Sequence, residues 1–227
     1  MCYISHQRGR ILVGMDITQI TKYKHACFVV TKDDRSIVVD PGVWSDDFVA
    51  PKNVDAVVIT HEHPDHCDTK TLADIVKTNP EAVIYTPASV ATQLSDFSTQ
   101  TVSVNETVHI GDFALTFYGG QHALIDSSLP VIENLGVMID EKLYYPGDSF
   151  ALPYGAVDLL ALPVSAPWMK FSEAAEFLRV VKPSRVFPTH DAILSDVGKE
   201  LVDTMFGRVA DEIGARDERL GASGRGL

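Results

Sequence analysis

The chain has 227 residues, 45% of them apolar, ordinary for a soluble globular enzyme with one large core or two closely packed halves. A formal net charge of -12 repels phosphate backbones at long range and argues against nucleic acid as a general partner. No run approaches the roughly 20 apolar residues of a membrane span. The basic start at 1–18 has no apolar stretch suited to a signal peptide, and Cys2, Cys27 and Cys67 are too few and too scattered for a disulfide framework. A reducing, cytoplasmic setting is expected.

In chain order, alternating β-branched residues over 17–40 predict at least two antiparallel strands with a polar turn at 32–36, ending at Asp40, Pro41 and Gly42. An apolar strand at 56–60 follows. Asp68 then stands where an N-cap belongs, before a helix with Leu72, Ile75 and Val76 at helical spacing. A strand at 82–86 and a helix at 89–94 complete a β-α-β-α run. Further strands are expected at 101–104, 113–118, 136–139, 143–145 and 158–163, then a helix presenting Ala174, Phe177, Leu178 and Val181. A strand at 185–188 and a helix with Val202, Met205, Phe206, Val209 and Ile213 close the series. Two sheets sandwiched between helices would bury all these faces, so residues 1–220 read as a single α/β domain. The tail at 221–227, rich in Gly and without apolar anchors, is expected to be flexible.

The chemistry concentrates in the run His61, Glu62, His63, Pro64, Asp65, His66, directly after the 56–60 strand. A solvated loop would explain one histidine, but three with an aspartate in the spacing HxHxDH suit a two-metal site built on imidazole and carboxylate. The run begins like the HExxH metalloprotease helix, yet position 65 is Asp and Pro64 forbids the helix. Further ligand types sit at strand exits: His122 after Gly119 and Gly120, Asp148 in Tyr-Pro-Gly-Asp-Ser, and His190 in Phe-Pro-Thr-His-Asp. Cys67 reads as a small buried hydrophobe rather than a soft ligand, and His6 and His109 receive no role.

Taken together, these motifs resemble the metallo-β-lactamase superfamily over nearly the whole chain, up to His190. The resemblance implies an αββα sandwich with two mixed sheets packed between helices. It also implies one divalent cation on His61, His63 and His122, a second on Asp65, His66 and His190, and Asp148 bridging them. Asp40, in the Asp-Pro-Gly position, would brace the ligand loop from behind. The string Lys24, His25, Ala26, Cys27, Phe28 is similar to the compact branch that includes ascorbate-6-phosphate lactonase. It departs from that branch at Lys24, and the loop Ser165, Ala166, Pro167, Trp168, Met169 departs too. His25 is a candidate to face the site, as a substrate contact or as a support behind the ligands, and Trp168 and Lys170 are candidates to line the substrate pocket.

Two such cations, zinc by ligand type with manganese or iron as alternatives, make hydroxide available near neutral pH. The expected reaction is hydrolysis of an ester or lactone bond in a small metabolite, phosphorylated or not, with Asp65 orienting the attacking water and passing its proton on. The competing readings are a phosphodiesterase or nuclease of the same fold, a di-iron redox protein, and a metal-binding module without turnover. A small-molecule substrate is expected, with no nucleic acid or membrane partner; a homo-oligomer is compatible with the sequence.

Overall fold

The computed structural model describes residues 19–219 and the backbone of 225–226. The basic start, Cys2 and His6 lie outside the described residues, as do 220–224 and 227 of the tail. Three strands open the fold, β1 (Gln19–Lys22), β2 (Phe28–Lys32) and β3 (Arg35–Val39), followed by β4 (Val54–Val58), α1 (Thr69–Thr78), β5 (Val83–Thr86), α2 (Ala88–Gln93) and β6 (Thr99–Thr101). The second half carries β7 (Thr107–Ile110), β8 (Phe113–Gly119), β9 (Leu135–Ile139), β10 (Leu143–Tyr145), β11 (Leu159–Pro163), α3 (Phe171–Val181), β12 (Arg185–Thr189) and α4 (Asp196–Ile213), with two-residue strands β13 (Arg216–Asp217) and β14 (Arg225–Gly226).

The strands form two seven-stranded sheets, β14-β1-β2-β3-β4-β5-β6 and β13-β12-β11-β10-β9-β8-β7. Each is mixed in the same way. Antiparallel pairing runs through β1, β2 and β3, and through β7 to β10; parallel pairing takes over from β3 to β6 and from β10 to β13. The period of two sorts side chains between layers. Phe28, Val30, Ile37 and Val39 of one sheet face Val137, Ile139, Tyr145 and Phe187 of the other. The alternate residues Val29 and Val38 turn outward to Leu72 and Ile75 of α1, while Tyr144, Leu160 and Val186 turn to Phe177 and Leu178 of α3 and Phe206 of α4. The order is therefore helix, sheet, sheet, helix, as expected.

Some local expectations are corrected. Lys32 is not turn but the last residue of β2, buried because its ammonium meets Asp140 at 2.6 Å and the Asp112 carbonyl at 2.6 Å in the opposite sheet. The turn is only Asp33–Asp34, with Asp33 in the left-handed region at φ 53°. The strand expected at 101–104 lies earlier, at β6, because the chain leaves the sheet at Val102 and turns at Asn105, φ 65°. Strand β7 was not anticipated. Within the 221–227 tail, Arg225–Gly226 pair with β1.

Phe28 is fully buried between the layers, its ring edge-on to Tyr145 at 5.4 Å and Phe187 at 5.7 Å. Phe28→Ala should cost about 3–5 kcal/mol, read as a lowered midpoint in equilibrium urea unfolding; a loss below about 1 kcal/mol would contradict this interlayer packing.

Candidate metal centre

Every ligand type flagged in the sequence leaves the same end of the two sheets. β1, β3 and β4 run one way in the first sheet, and β8, β10 and β12 run one way in the second. Their C-terminal ends carry His25, Asp40, the 61–66 run, His122, Asp148 and His190 respectively. The layers are tied there by Leu135 N–H donating to Thr60 O at 3.0 Å.

The loops at these exits are tightly constrained. Gly42 packs so closely on the Asp65 backbone that an added Cβ would stand 1.9 Å from its carbonyl carbon. Gly147 at φ 63° turns the chain toward Asp148 where any side chain would strike Asn134. Three non-glycine residues of the site adopt left-handed backbone: His25 (φ 59°), Asp40 (φ 44°) and His190 (φ 59°). Each such residue costs about 1–3 kcal/mol unless its surroundings hold it. His190 N–H donates to His25 O, which also accepts from the buried Lys22 ammonium at 2.6 Å.

The side chains converge in two groups, each with its ligand atoms within 4.8 Å of one another: His61, His63, His122 and Asp148 in one, and His25, Asp65, His66 and His190 in the other. Asp148 also reaches the second group. Its Oδ1 lies 3.2 Å from His66 Nε2, and its Oδ2 lies 3.0 Å from His190 Nε2 and 3.4 Å from His122 Nε2. Ligands about 2.0–2.2 Å from a tetrahedral zinc stand about 3.3–3.6 Å apart, so these separations suit a cation between them.

Outward hydrogen bonds settle which nitrogen faces inward in four of the rings, while His63 Nδ1 lies 3.1 Å from His61 Nε2 within the cluster. His66 Nδ1–H donates to Asp40 Oδ2 at 2.7 Å, His122 Nδ1–H to Ala123 O at 2.6 Å and His190 Nδ1–H to Ser165 O at 2.5 Å. Thr60 gives its hydroxyl proton to Asp40 Oδ2 at 2.7 Å and so accepts from His61 Nδ1–H at 2.9 Å. Asp40 thus braces two ligands and, through Oδ1, the Thr60 N–H. What remains inside is telling. The Nε2 atoms of His66, His122 and His190 and Oδ1 of Asp148 are buried with no hydrogen-bond partner. They lie close without the alignment of an N–H···O bond, and an unsatisfied buried polar atom costs about 1–3 kcal/mol. The donor set fits divalent cations.

Of the two places open to His25, substrate contact or support behind the ligands, its geometry fits the second. It is fully buried, its Nδ1 accepts from Ala192 N–H at 3.4 Å, and its Nε2–H donates to Asp65 Oδ2 at 2.9 Å. Burial lowers it to about 4, so it is a neutral ring that orients Asp65. Trp168 also turns inward, giving its indole N–H to Asp148 Oδ2 at 2.8 Å. Lys170 is exposed at the N-cap of α3, its backbone N–H held by Glu173, and no contact joins it to the cluster. Cys67 packs beneath α1, and burial pushes its thiol up to about 12. The sequence reading missed Thr60 and Asn134, whose Oδ1 accepts from Asp148 N–H at 3.0 Å. Thr60 could have been suspected from its place before His61; Asn134 carries no local signal.

The family model described as a beta-lactamase superfamily domain matches residues 19–190. The chain belongs to the beta-lactamase superfamily. Among relatives, Protein Rv0786c of Mycobacterium tuberculosis is 36% identical over 182 residues, covering 78% of this chain and 85% of that protein. The UPF0173 metal-dependent hydrolase PH1671 of Pyrococcus horikoshii is 26% identical, covering 73% and 81%. The metallo hydrolase Igni18 of Ignicoccus hospitalis superposes with a TM-score of 0.71 at 19% identity, covering 93% of this chain and 98% of that one. CmlA, a diiron beta-hydroxylase of Streptomyces venezuelae, gives 0.69 at 17% identity, covering 93% and 54%. At these identities the two structures speak to the fold alone.

Protonation separates the halves of this superfamily site. Burial keeps His61 and His63 below the ordinary imidazole range. Burial also opposes the charged forms of His66 and His190, but Asp148 with Asp40 or Asp65 overcomes it, raising His66 well above that range and His190 to about 9. A raised folded pKa contributes stability that is whole below about 6.5 and lost as pH rises through about 9. The metal-free protein should therefore lose stability over that window. Cation binding at His66 and His190 must displace protons, so calorimetry at pH 7 in buffers of different ionisation enthalpy should show proton release. Binding without release would contradict the assignment.

Trp168→Phe keeps the ring and deletes the N–H on Asp148. Lost support of this kind costs about 10- to 100-fold in metal affinity, measured by competition with a chelator; unchanged affinity would leave the indole without a role in holding Asp148.

Proposed function

We propose that this metal-dependent hydrolase holds two divalent cations and cleaves an ester or lactone bond of a small metabolite, as the lactonase-like branch suggests. One cation is held by His61, His63 and His122, the other by Asp65, His66 and His190, with Asp148 shared; zinc suits the donors, with manganese or iron as alternatives. The single observation that carries the reading is the set of buried, unpartnered Nε2 and Oδ1 atoms facing one another across both groups.

When bound, the cations would bring the pKa of a captured water toward 7 and stabilise negative charge developing on the substrate oxygen. The chain's own residues supply the rest. Asp65 combines a place in the second group with a side chain 16% exposed. Burial would raise its pKa, but the His190 ring 3.5 Å from its Oδ2 and the hydrogen bond from His25 hold the carboxyl well below the usual range, so it stays ionised. Asp65 can then orient water by accepting its proton and hand that proton to the leaving group, while the His25 N–H keeps the carboxylate in place.

A small-molecule substrate and a reducing cytoplasmic setting belong to the same proposal. The net charge of -12 supports the first, and the unpaired thiols of Cys27 and Cys67 support the second. No helix among the described residues is long and apolar enough to cross a membrane.

The test is metal quantification on purified protein, followed by turnover of a panel of esters, lactones and phosphodiesters. We expect about two divalent ions per chain, loss of turnover on chelation and recovery on their return. Asp65→Asn should lower kcat by about 10²- to 10⁴-fold; a variant retaining both ions and full turnover would remove Asp65 from the chemistry. A fully loaded protein that turns over nothing in the panel would favour a binding module instead.

A further inference from the structure

Beside the second ligand group lies a groove of about 340 Å³, within the range of small-molecule sites. Its walls come from the segments that build the centre. Lys24 precedes His25; Val43 and Trp44 follow Gly42, with Val43 N–H bonded to Pro64 O at 2.9 Å; Ala192 and Ile193 follow His190 and Asp191. The Trp44 ring stands edge-on to His25 with centroids 4.8 Å apart, and Ala192 N–H binds the same imidazole. The buried His25 ring thus touches two groove residues, Trp44 and Ala192, and also Asp65.

The lining is amphiphilic. Val43, Trp44 and Ile193 are 47%, 43% and 48% exposed and together give the groove a contiguous apolar patch. Lys24 and Lys199 flank them together with one carboxylate, Asp46, leaving the lining net positive against the protein's overall negative charge. Lys199 is half-buried, and among the described residues its ammonium has no hydrogen-bonded partner, acting on Asp191 only through space. Lys24 pairs with Asp46 at 2.7 Å, but both are more than half exposed, and a ligand anion can displace a surface partner that contributes so little.

We propose that this groove binds the anionic end of the substrate, a carboxylate or phosphate held by Lys24 and Lys199 with its adjoining carbon skeleton against Trp44 and Ile193. The inference rests on the hydrolase reading and narrows it: the substrate is an ester or lactone that carries a second, non-reacting anionic group. Binding energy from that remote group would place the scissile bond at the metal ligands.

The experiment is calorimetric titration of full-length, metal-loaded protein with two probes, glutarate and phenyl phosphate. Wild type should bind at least one, and the tighter of the two names the anion. The double variant Lys24→Glu, Lys199→Glu should weaken binding at least tenfold and Trp44→Ala several-fold. The charge-matched pair Lys52→Glu, Lys77→Glu, on exposed positions away from the groove, should stay within twofold. If the double variant fails to load metal, the milder Lys199→Gln carries the test and should weaken binding several-fold. No binding by wild type, or binding that ignores both lysines, overturns the proposal. Lysine-dependent binding by a protein that cleaves no ester or lactone would keep the groove and sink the ester reading instead.

Discussion

A carboxylate buried among three imidazoles, Asp148 against His66, His122 and His190, is the constraint on which the rest of the molecule depends. Such a charge is tolerated in a protein interior only when opposite charge or a metal stands against it. Here the partners come from both sheets: His66 from the loop after β4, the other two from the ends of β8 and β12. The two layers must therefore end level with each other, and the Phe28, Tyr145 and Phe187 contact between them is part of what sets that level.

Around this carboxylate the fold concentrates its unfavourable local choices. His25, Asp40 and His190 all hold left-handed backbone, and Gly42 admits no side chain. The compensation is a set of outward hydrogen bonds, from His66 to Asp40, from His61 through Thr60 to Asp40, from His190 to Ser165 and from His122 to Ala123. Each commits one ring nitrogen and leaves the other facing inward. The centre is thus rigid before any cation arrives, which favours selective binding and fixed chemistry over adaptability.

The halves of the centre are alike in donors but not in state. Burial, with neighbouring imidazoles acting the same way, lowers His61 and His63, while carboxylates overcome burial at His66 and His190. Asp65 sits on the second side with some exposure to solvent, and the cationic, aromatic groove opens beyond His25 on that side too. The groove proposed for substrate and the carboxylate proposed to handle the proton therefore share one flank of the centre.

Much was legible in the chain itself. The alternation Phe28, Val29, Val30 and Ile37, Val38, Val39 announced strands with two covered faces, and the run from His61 to His66 announced metal chemistry, because both signals are local and need only the backbone's periodicity. The same reading stumbled at Lys32, since a charged residue ahead of two aspartates looks like a turn until Asp140 is brought against it from the other sheet. It also missed the work of Trp168, which looked like a pocket-lining residue and is held on Asp148, and left open whether His25 met substrate or, as its bond to Asp65 has it, braced the ligands. Residue types and strand order determined the layers and the donor set. Only the docking of the two sheets decided which donors share a cation-sized space and which side chains brace them, because contacts such as that of Ala192 with His25, 167 positions apart, exist only once the layers have closed.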